Sequence, residues 1–199
     1  MAPLGSAHHW KGITLAIVLV CGAAPGAMAN PDVWVKVKYT LNFDETSLTG
    51  LKIDWLFDPF FSNRAIQQFD KDRDRQLSDA EVAALRAEFF DHFEDKKYFL
   101  HVLVPDTPAP MRNESFLAKA DAEQFALSLV LVPETPIAYR NGPVIIGTYD
   151  DAIFFDFTLA DEDFLRVEGP FDPACRFQIR PGDGPLTGQK QAIALLCEE

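Results

Sequence analysis

Basic residues are scarce in this sequence: 18 lysines and arginines stand against 30 aspartates and glutamates, for a formal net charge of −12. A field of that sign repels phosphate backbones and argues against nucleic acid as a partner. The sequence also lacks a G-x-S-x-G elbow, a P-loop and paired C-x-x-C motifs. Because nothing here supports nucleophilic catalysis or phosphate binding, we expect a protein that is not an enzyme.

Long apolar runs are also missing. The run Ile13–Val20 is too short to span a bilayer comfortably. A basic residue precedes it and small residues follow, up to an A-x-A tripeptide that ends at Ala29. This pattern predicts a secretory signal peptide over residues 1–29, cleaved after Ala29, and one periplasmic or secreted domain over residues 30–199. The alternatives are a retained membrane anchor and a lipid attached to Cys21.

Cysteine is rare, with three in the whole chain. Cys21 belongs to the predicted signal peptide, which leaves Cys175 and Cys197 as an even pair in an oxidising compartment. We predict a disulfide between them. Its closed loop of about 22 residues would stabilise the fold by roughly 3 kcal/mol in chain-entropy models. The alternative is two free buried thiols.

Alternating apolar and polar residues mark the start of the predicted domain. Val33–Phe43 and Leu48–Phe57 both have the period of two that is typical of strands with one buried face. A short polar turn separates them, so we predict an antiparallel hairpin. Trp34 and Trp55 lie on these neighbouring strands and are expected in the core.

Helical spacing of apolar residues replaces this alternation over residues 58–97. A highly charged stretch, residues 70–81, interrupts the helical pattern. Strand patterns return at 99–104, 125–132, 144–149, 153–159, 176–180 and 191–197, with a loop expected at 107–113. The predicted fold class is α+β: a strand-rich antiparallel sheet domain with an inserted helix–loop–helix.

The charged stretch matches the twelve-residue loop of an EF-hand. Such a loop binds Ca²⁺ through carboxylates at positions 1, 3 and 5, a carbonyl at 7, a side chain at 9 and a bidentate Glu at 12. The residues at these positions are Asp70, Asp72, Asp74, Gln76, Ser78 and Glu81. We predict a weak calcium site with a dissociation constant of roughly 0.1–1 mM. The alternative is a solvated charged turn.

Position 6 of the loop departs from this pattern. It is normally Gly, because the turn needs a left-handed backbone, whereas here it is Arg75. A non-glycine residue in that conformation costs about 1 kcal/mol. The departure therefore predicts lower affinity without loss of the site.

Four segments in this order resemble the bacterial domain-of-unknown-function 1007 family: Asn30–Val35, Gly50–Asp58, the loop 70–81 and Tyr149–Phe157. These are periplasmic proteins often described as components of uncharacterised transport systems. The resemblance implies a non-enzymatic accessory protein of a nickel, cobalt or zinc system, with a divalent metal ion and a membrane permease as partners. The runner-up is a structural or interaction module whose calcium loop only stabilises the fold.

The start of the predicted mature chain departs from that family. Its members typically begin with His-Pro-His-Val-Trp, and Asn30 and Asp32 occupy the two histidine positions here. A metal site at this end would therefore lose both imidazoles, the ligands that suit nickel, cobalt and zinc.

Few histidines remain as other metal ligands. Glu88 and His92 are spaced to share one helix face, as a two-ligand zinc patch or, more simply, an exposed ion pair. His101 is expected to be a half-buried packing residue. The phenylalanine pairs at 60–61, 89–90 and 154–155 are expected in the core, with any exposed member available to dock a membrane partner.

Overall fold

The computed structural model describes residues 33–121, 124–152, 154–181 and 191–198. The predicted signal peptide, residues 1–29, lies outside these residues, and so does Cys21. No helix in the described ranges is both long and apolar enough to cross a membrane.

Eleven strands are described in these ranges. In chain order they are β1 Val33–Phe43, β2 Leu48–Phe57, β3 Leu100–Val104, β4 Thr107–Pro108, β5 Met111–Asp121, β6 Gln124–Pro133, β7 Val144–Thr148, β8 Phe155–Leu159, β9 Leu165–Glu168, β10 Cys175–Arg180 and β11 Ala192–Cys197. The predicted β1–β2 hairpin is confirmed, with Val37 opposite Trp55 in its antiparallel register. The strand-rich, mostly antiparallel architecture is confirmed as well.

These strands form two sheets rather than the single sheet that the sequence suggested. The first has the order β5-β6-β2-β1-β8, and β9 also pairs with β1. The second has the order β10-β11-β7-β3-β4. Strands β8 and β9 both run parallel to β1. The loop expected at 107–113 is instead β4 and the beginning of β5.

Aromatic side chains form much of the core. Trp55 is fully buried, with its ring centroid 5.2 Å from that of Phe157 and 6.1 Å from that of Phe99. The Tyr39 hydroxyl on β1 lies 2.5 Å from the Thr148 hydroxyl on β7, so one buried hydrogen bond links the two sheets. Trp34 is 53% exposed, and its expected place in the core is wrong, because even-numbered residues of β1 face away from the core.

A 3₁₀ turn, Tyr139–Asn141, precedes β7, and the other helical structure of the described residues lies between β2 and β3. It comprises α1 Pro59–Phe69, α2 Asp79–Leu85, a π-helical turn Arg86–Phe90 and 3₁₀ turns Asp91–Phe93 and Lys97–Phe99. Ser62 on α1 is fully buried and donates a hydrogen bond to the Phe57 carbonyl, while its hydroxyl accepts one from the Phe125 amide. These two bonds fix α1 against the ends of β2 and β6.

The predicted disulfide is confirmed. Cys175 and Cys197 are bonded to each other and stand directly opposite in the antiparallel register of β10 and β11. A structural disulfide indicates folding in an oxidising compartment.

Candidate metal centre

Helix α1 brings the first candidate ligand into place. Asp58 caps its start by accepting hydrogen bonds from the Phe60 and Phe61 amides at 2.8 and 3.0 Å. At the other end, the Asp70 amide donates to the Ile66 carbonyl at 2.9 Å, and Asp70 is the last residue bonded to the helix. The carboxyl end of a helix carries a partial negative charge, so a carboxylate here favours a nearby cation.

Three aspartates converge immediately after α1. One carboxylate oxygen from each of Asp70, Asp72 and Asp74 lies within 4.8 Å of the other two. Asp70 is only 7% exposed, while the other two side chains are exposed. Oxygens that share one Ca²⁺ at about 2.4 Å can be at most about 4.8 Å apart, so this spacing fits a common ion.

Hydrogen bonds to the same aspartates shape the backbone of the loop. The two oxygens of Asp70 accept from the amides of Arg73 at 2.6 Å and Arg75 at 2.9 Å. Asp74 accepts from the Gln76 amide at 2.7 Å. These bonds hold the carboxylates inside the turn, with the amides arranged around them.

Two arginines in the loop have left-handed backbones. Arg75 has φ 67°, as position 6 of an EF-hand loop requires, and Arg73 has φ 64°. Each costs about 1 kcal/mol relative to an ordinary conformation. The conformation of Arg73 was not foreseen, because nothing in its side chain signals a left-handed turn. The bonds from both amides to Asp70 offset this cost.

Glu81 stands apart from the three aspartates. It caps the start of α2, where one carboxylate oxygen accepts from the Ser78 amide at 2.9 Å and from the Ser78 hydroxyl at 2.8 Å. Its other oxygen accepts from the Lys71 amide. Glu81 thus joins the two ends of the loop, and it does not belong to the group of converging oxygens found among the described residues.

The surroundings of Glu81 and Asp72 shift the pKa values of these two carboxyl groups in opposite directions. Hydrogen bonds from the Ser78 amide and hydroxyl, and then from Lys71, lower the pKa of Glu81 to about 2. The Asp74 amide lowers the pKa of Asp72, but desolvation and repulsion from Asp74 and Glu81 outweigh it, so that pKa is raised. Repulsion of this kind is relieved when a cation binds between the carboxylates.

The remaining candidate ligands do not assemble into a comparable group. Glu88 and His92 are both exposed. Glu88 lies in the π-helical turn and His92 in a 3₁₀ turn, so the α-helical spacing assumed from the sequence does not apply. No group of three metal-ligating side chains includes either of them in the described part of the chain. His101 is half-buried, as expected, and burial lowers its pKa.

A structural carboxylate outside the loop was missed in the sequence. Asp150, only 4% exposed, accepts hydrogen bonds from the amides of Ala152, Phe154 and Phe155 at 3.0–3.1 Å. It therefore shapes the turn that leads into β8. The Asp-Asp pair at 150–151 was a signal for such a turn.

The protein is thus a strand-rich, disulfide-bonded domain with a helical segment and an acidic loop between β2 and β3. A family model described as "Protein of unknown function (DUF1007)" matches residues 15–196, and the chain belongs to that family. The resemblance found in the sequence is thereby confirmed. No curated protein matches the chain.

Proposed function

We propose that the loop Asp70–Glu81 is an EF-hand-type calcium site in a helix–loop–helix insertion. The observation that carries this proposal is the convergence of three aspartate oxygens within 4.8 Å at the end of α1. The left-handed Arg75 supports it, because that position has the backbone such a loop requires. The ligands would be side chains of Asp70, Asp72, Asp74, Ser78 and Glu81, with the carbonyl of Gln76.

Binding would require Glu81 to exchange partners. Its oxygens are engaged by the amides of Lys71 and Ser78 and by the Ser78 hydroxyl. As a bidentate ligand, Glu81 would give up some of these bonds. This competition and the backbone of Arg75 both favour a weak site, with a dissociation constant of roughly 0.1–1 mM, in the range of extracellular calcium modules.

The oxygen donors of the loop also indicate which metal ion it would bind. Carboxylates and carbonyls suit calcium and magnesium, whereas nickel, cobalt and zinc prefer imidazole or thiolate. Calcium tolerates the irregular geometry of a flexible loop better than magnesium does. The loop would therefore serve the protein itself as a stabilising site rather than carry a transition metal.

At the level of the whole protein, we propose an exported, non-catalytic accessory or binding protein of a metal-ion transport system, acting with a membrane permease. The disulfide supports export to an oxidising compartment. Membership of the family supports the transport role, because that role was inferred from resemblance to the same family. A structural or interaction module, in which calcium only holds the helical insertion together, is the second candidate. The cluster of Asp70, Asp72 and Asp74 is expected for the accessory protein and for the structural module alike.

Calorimetric titration of the mature protein, recovered after export, separates these proposals. Calcium should bind at one site with submillimolar to millimolar affinity, and Asp70→Asn should abolish that binding. Asp106→Asn, which changes an exposed aspartate in the β3–β4 turn, is the matched control and should leave it unchanged. Micromolar binding of nickel or zinc would support a transport role, whereas calcium alone would support the module. Absence of calcium binding would overturn the loop assignment.

A further inference from the structure

An aromatic cleft lies near the loop, and no residue of the loop lines it. It has a volume of about 460 Å³, within the range of ligand-binding pockets. One wall is α1, and the other is α2 with the π-helical turn. We define the aromatic cleft by Phe60, Phe61, Phe89, Phe125 and Phe154, which all line it.

The rim of the aromatic cleft is unusually exposed for such large apolar side chains. Phe60 is 70% exposed and Phe154 is 45% exposed. Their positions are nevertheless fixed. Phe60 follows the capped start of α1, and the buried carboxylate of Asp150 accepts a hydrogen bond from the Phe154 amide at 3.0 Å. An aromatic rim held in place by the backbone is a feature of binding surfaces, since its burial by a partner is favourable.

The helical segment beside the aromatic cleft is acidic. Residues 88–95, which continue the α2 wall, contain four exposed acids and no lysine or arginine. Glu88 from this segment lines the cleft and is exposed. The α1 wall contributes a single base, Arg64, whose guanidinium carbon lies 5.9 Å from the centre of the Phe60 ring. This acidic segment and the net charge of −12 on the chain favour a cationic partner.

We propose that the aromatic cleft binds an amphipathic segment of a partner protein, with apolar side chains in the cleft and basic side chains against residues 88–95. A groove between two helices accepts an amphipathic helix through apolar anchors spaced three and four residues apart. This docking is independent of the calcium proposal, because its residues are not the predicted ligands.

A model peptide tests the proposal directly. The probe is a fluorescein-labelled, 18-residue helix with leucine and phenylalanine on one face and lysine on the other. A matched peptide has glutamate in place of each lysine. Binding to the mature protein is followed by fluorescence anisotropy, with calcium and with chelator, so that failure of the loop to bind calcium leaves this result intact.

The expected results compare surface variants of similar exposure. Phe60→Ser and Phe154→Ser should each weaken binding of the lysine peptide at least tenfold. Leu117→Ser, at an exposed leucine of β5, should change it less than twofold. The glutamate peptide should bind at least tenfold more weakly than the lysine peptide, and Glu88→Gln should reduce that preference. Melting curves establish that each variant is folded.

Four results would overturn the proposal. They are equal affinity for the two peptides, unchanged binding by Phe60→Ser, binding of phosphatidylglycerol vesicles but not of the lysine peptide, and a dimer in sedimentation analysis that Phe60→Ser dissociates. The third would assign the cleft to a lipid surface, and the last would assign it to a second copy of the chain.

Discussion

Glu81 has two roles in this account, and Glu81→Gln separates them. In the structure the carboxylate accepts from Ser78 with one oxygen and from Lys71 with the other. A glutamine has one acceptor oxygen, so it keeps the cap on Ser78 and loses the bond from Lys71. It also loses the bidentate, charged ligand that an EF-hand loop needs at position 12 to bind calcium.

The magnitude follows from mass action. A site with a dissociation constant of roughly 0.1–1 mM stabilises the protein by about 1.4–2.7 kcal/mol in 10 mM calcium. In a domain of this size 1 kcal/mol shifts Tm by about 2–4 °C, so calcium should raise Tm by roughly 3–11 °C. If Glu81→Gln weakens binding tenfold, the stabilisation falls to about 0.4–1.4 kcal/mol, or roughly 1–6 °C.

Acid titration supplies a second, metal-free measurement of Glu81. Its pKa is lowered from 4.5 to about 2 in the folded protein. A carboxyl group with a depressed pKa stabilises the fold above its unfolded value, and that contribution is lost as the pH falls through the folded value. In chelator, wild-type stability should therefore decline between pH 4.5 and 2, and Glu81→Gln should decline less steeply.

Thermal denaturation measured with and without 10 mM calcium, and from pH 7 to 2 in chelator, tests both roles. Each variant is compared with itself, so the loss of the Lys71 bond does not distort the calcium effect. An undiminished calcium shift in Glu81→Gln would refute the ligand role. If Glu81→Gln lost stability toward low pH as steeply as the wild type, the stabilising role of the ionised Glu81 carboxylate would be refuted.

Three further predictions concern the loop, the anchor of α1 and the disulfide. Arg75→Gly should raise calcium affinity more than Arg75→Ala, because both remove a cation beside the ion and only glycine also relieves the left-handed backbone. In calorimetry, equal gains would show that backbone strain does not limit affinity. Ser62→Ala leaves the buried Phe125 amide without its acceptor and should cost about 1–3 kcal/mol, a drop in Tm of roughly 2–12 °C; a change under about 1 °C would contradict the anchoring role. Replacing Cys175 and Cys197 by alanine should lower the free energy of unfolding by roughly 3 kcal/mol in urea, since the bond closes a 22-residue separation; an unchanged urea midpoint would contradict that contribution.

Local patterns in the sequence predicted the local structure well. The β1–β2 hairpin has its expected bounds because alternation and a polar turn specify both strands. The same alternation also indicated that the Trp34 side chain faces outward. Val33 and Val35 face the core, so the residue between them must face outward, and the general preference of tryptophan for interiors was the weaker argument.

Non-local pairing was beyond what these patterns could specify. Strand β5 was missed because Met111–Asp121 is an edge strand with mostly exposed, polar residues. Leu165–Glu168 is short and only partly buried, and its parallel pairing with β1 depends on residues more than a hundred positions away. Division into two sheets follows from such long-range contacts, which periodicity does not report.

The candidate site was predicted in its residues more than in its geometry. Spacing alone identified Asp70, Asp72 and Asp74, whose oxygens the structure brings together. The spacing of Ser78 and Glu81 is that of a capping box, which the structure contains. The order of residues could not show that Glu81 also accepts a bond from Lys71, or that Arg73 shares the left-handed backbone of Arg75. Both depend on how the loop closes between α1 and α2.

A crystal structure of the mature protein grown in calcium, with the ion identified by anomalous scattering, would show whether the loop holds calcium. We expect one ion at about 2.3–2.6 Å from oxygens of Asp70, Asp72, Asp74 and Glu81, with Glu81 turned toward it. A loop without an ion in millimolar calcium, with Glu81 still bonded to Ser78 and Lys71, would contradict it.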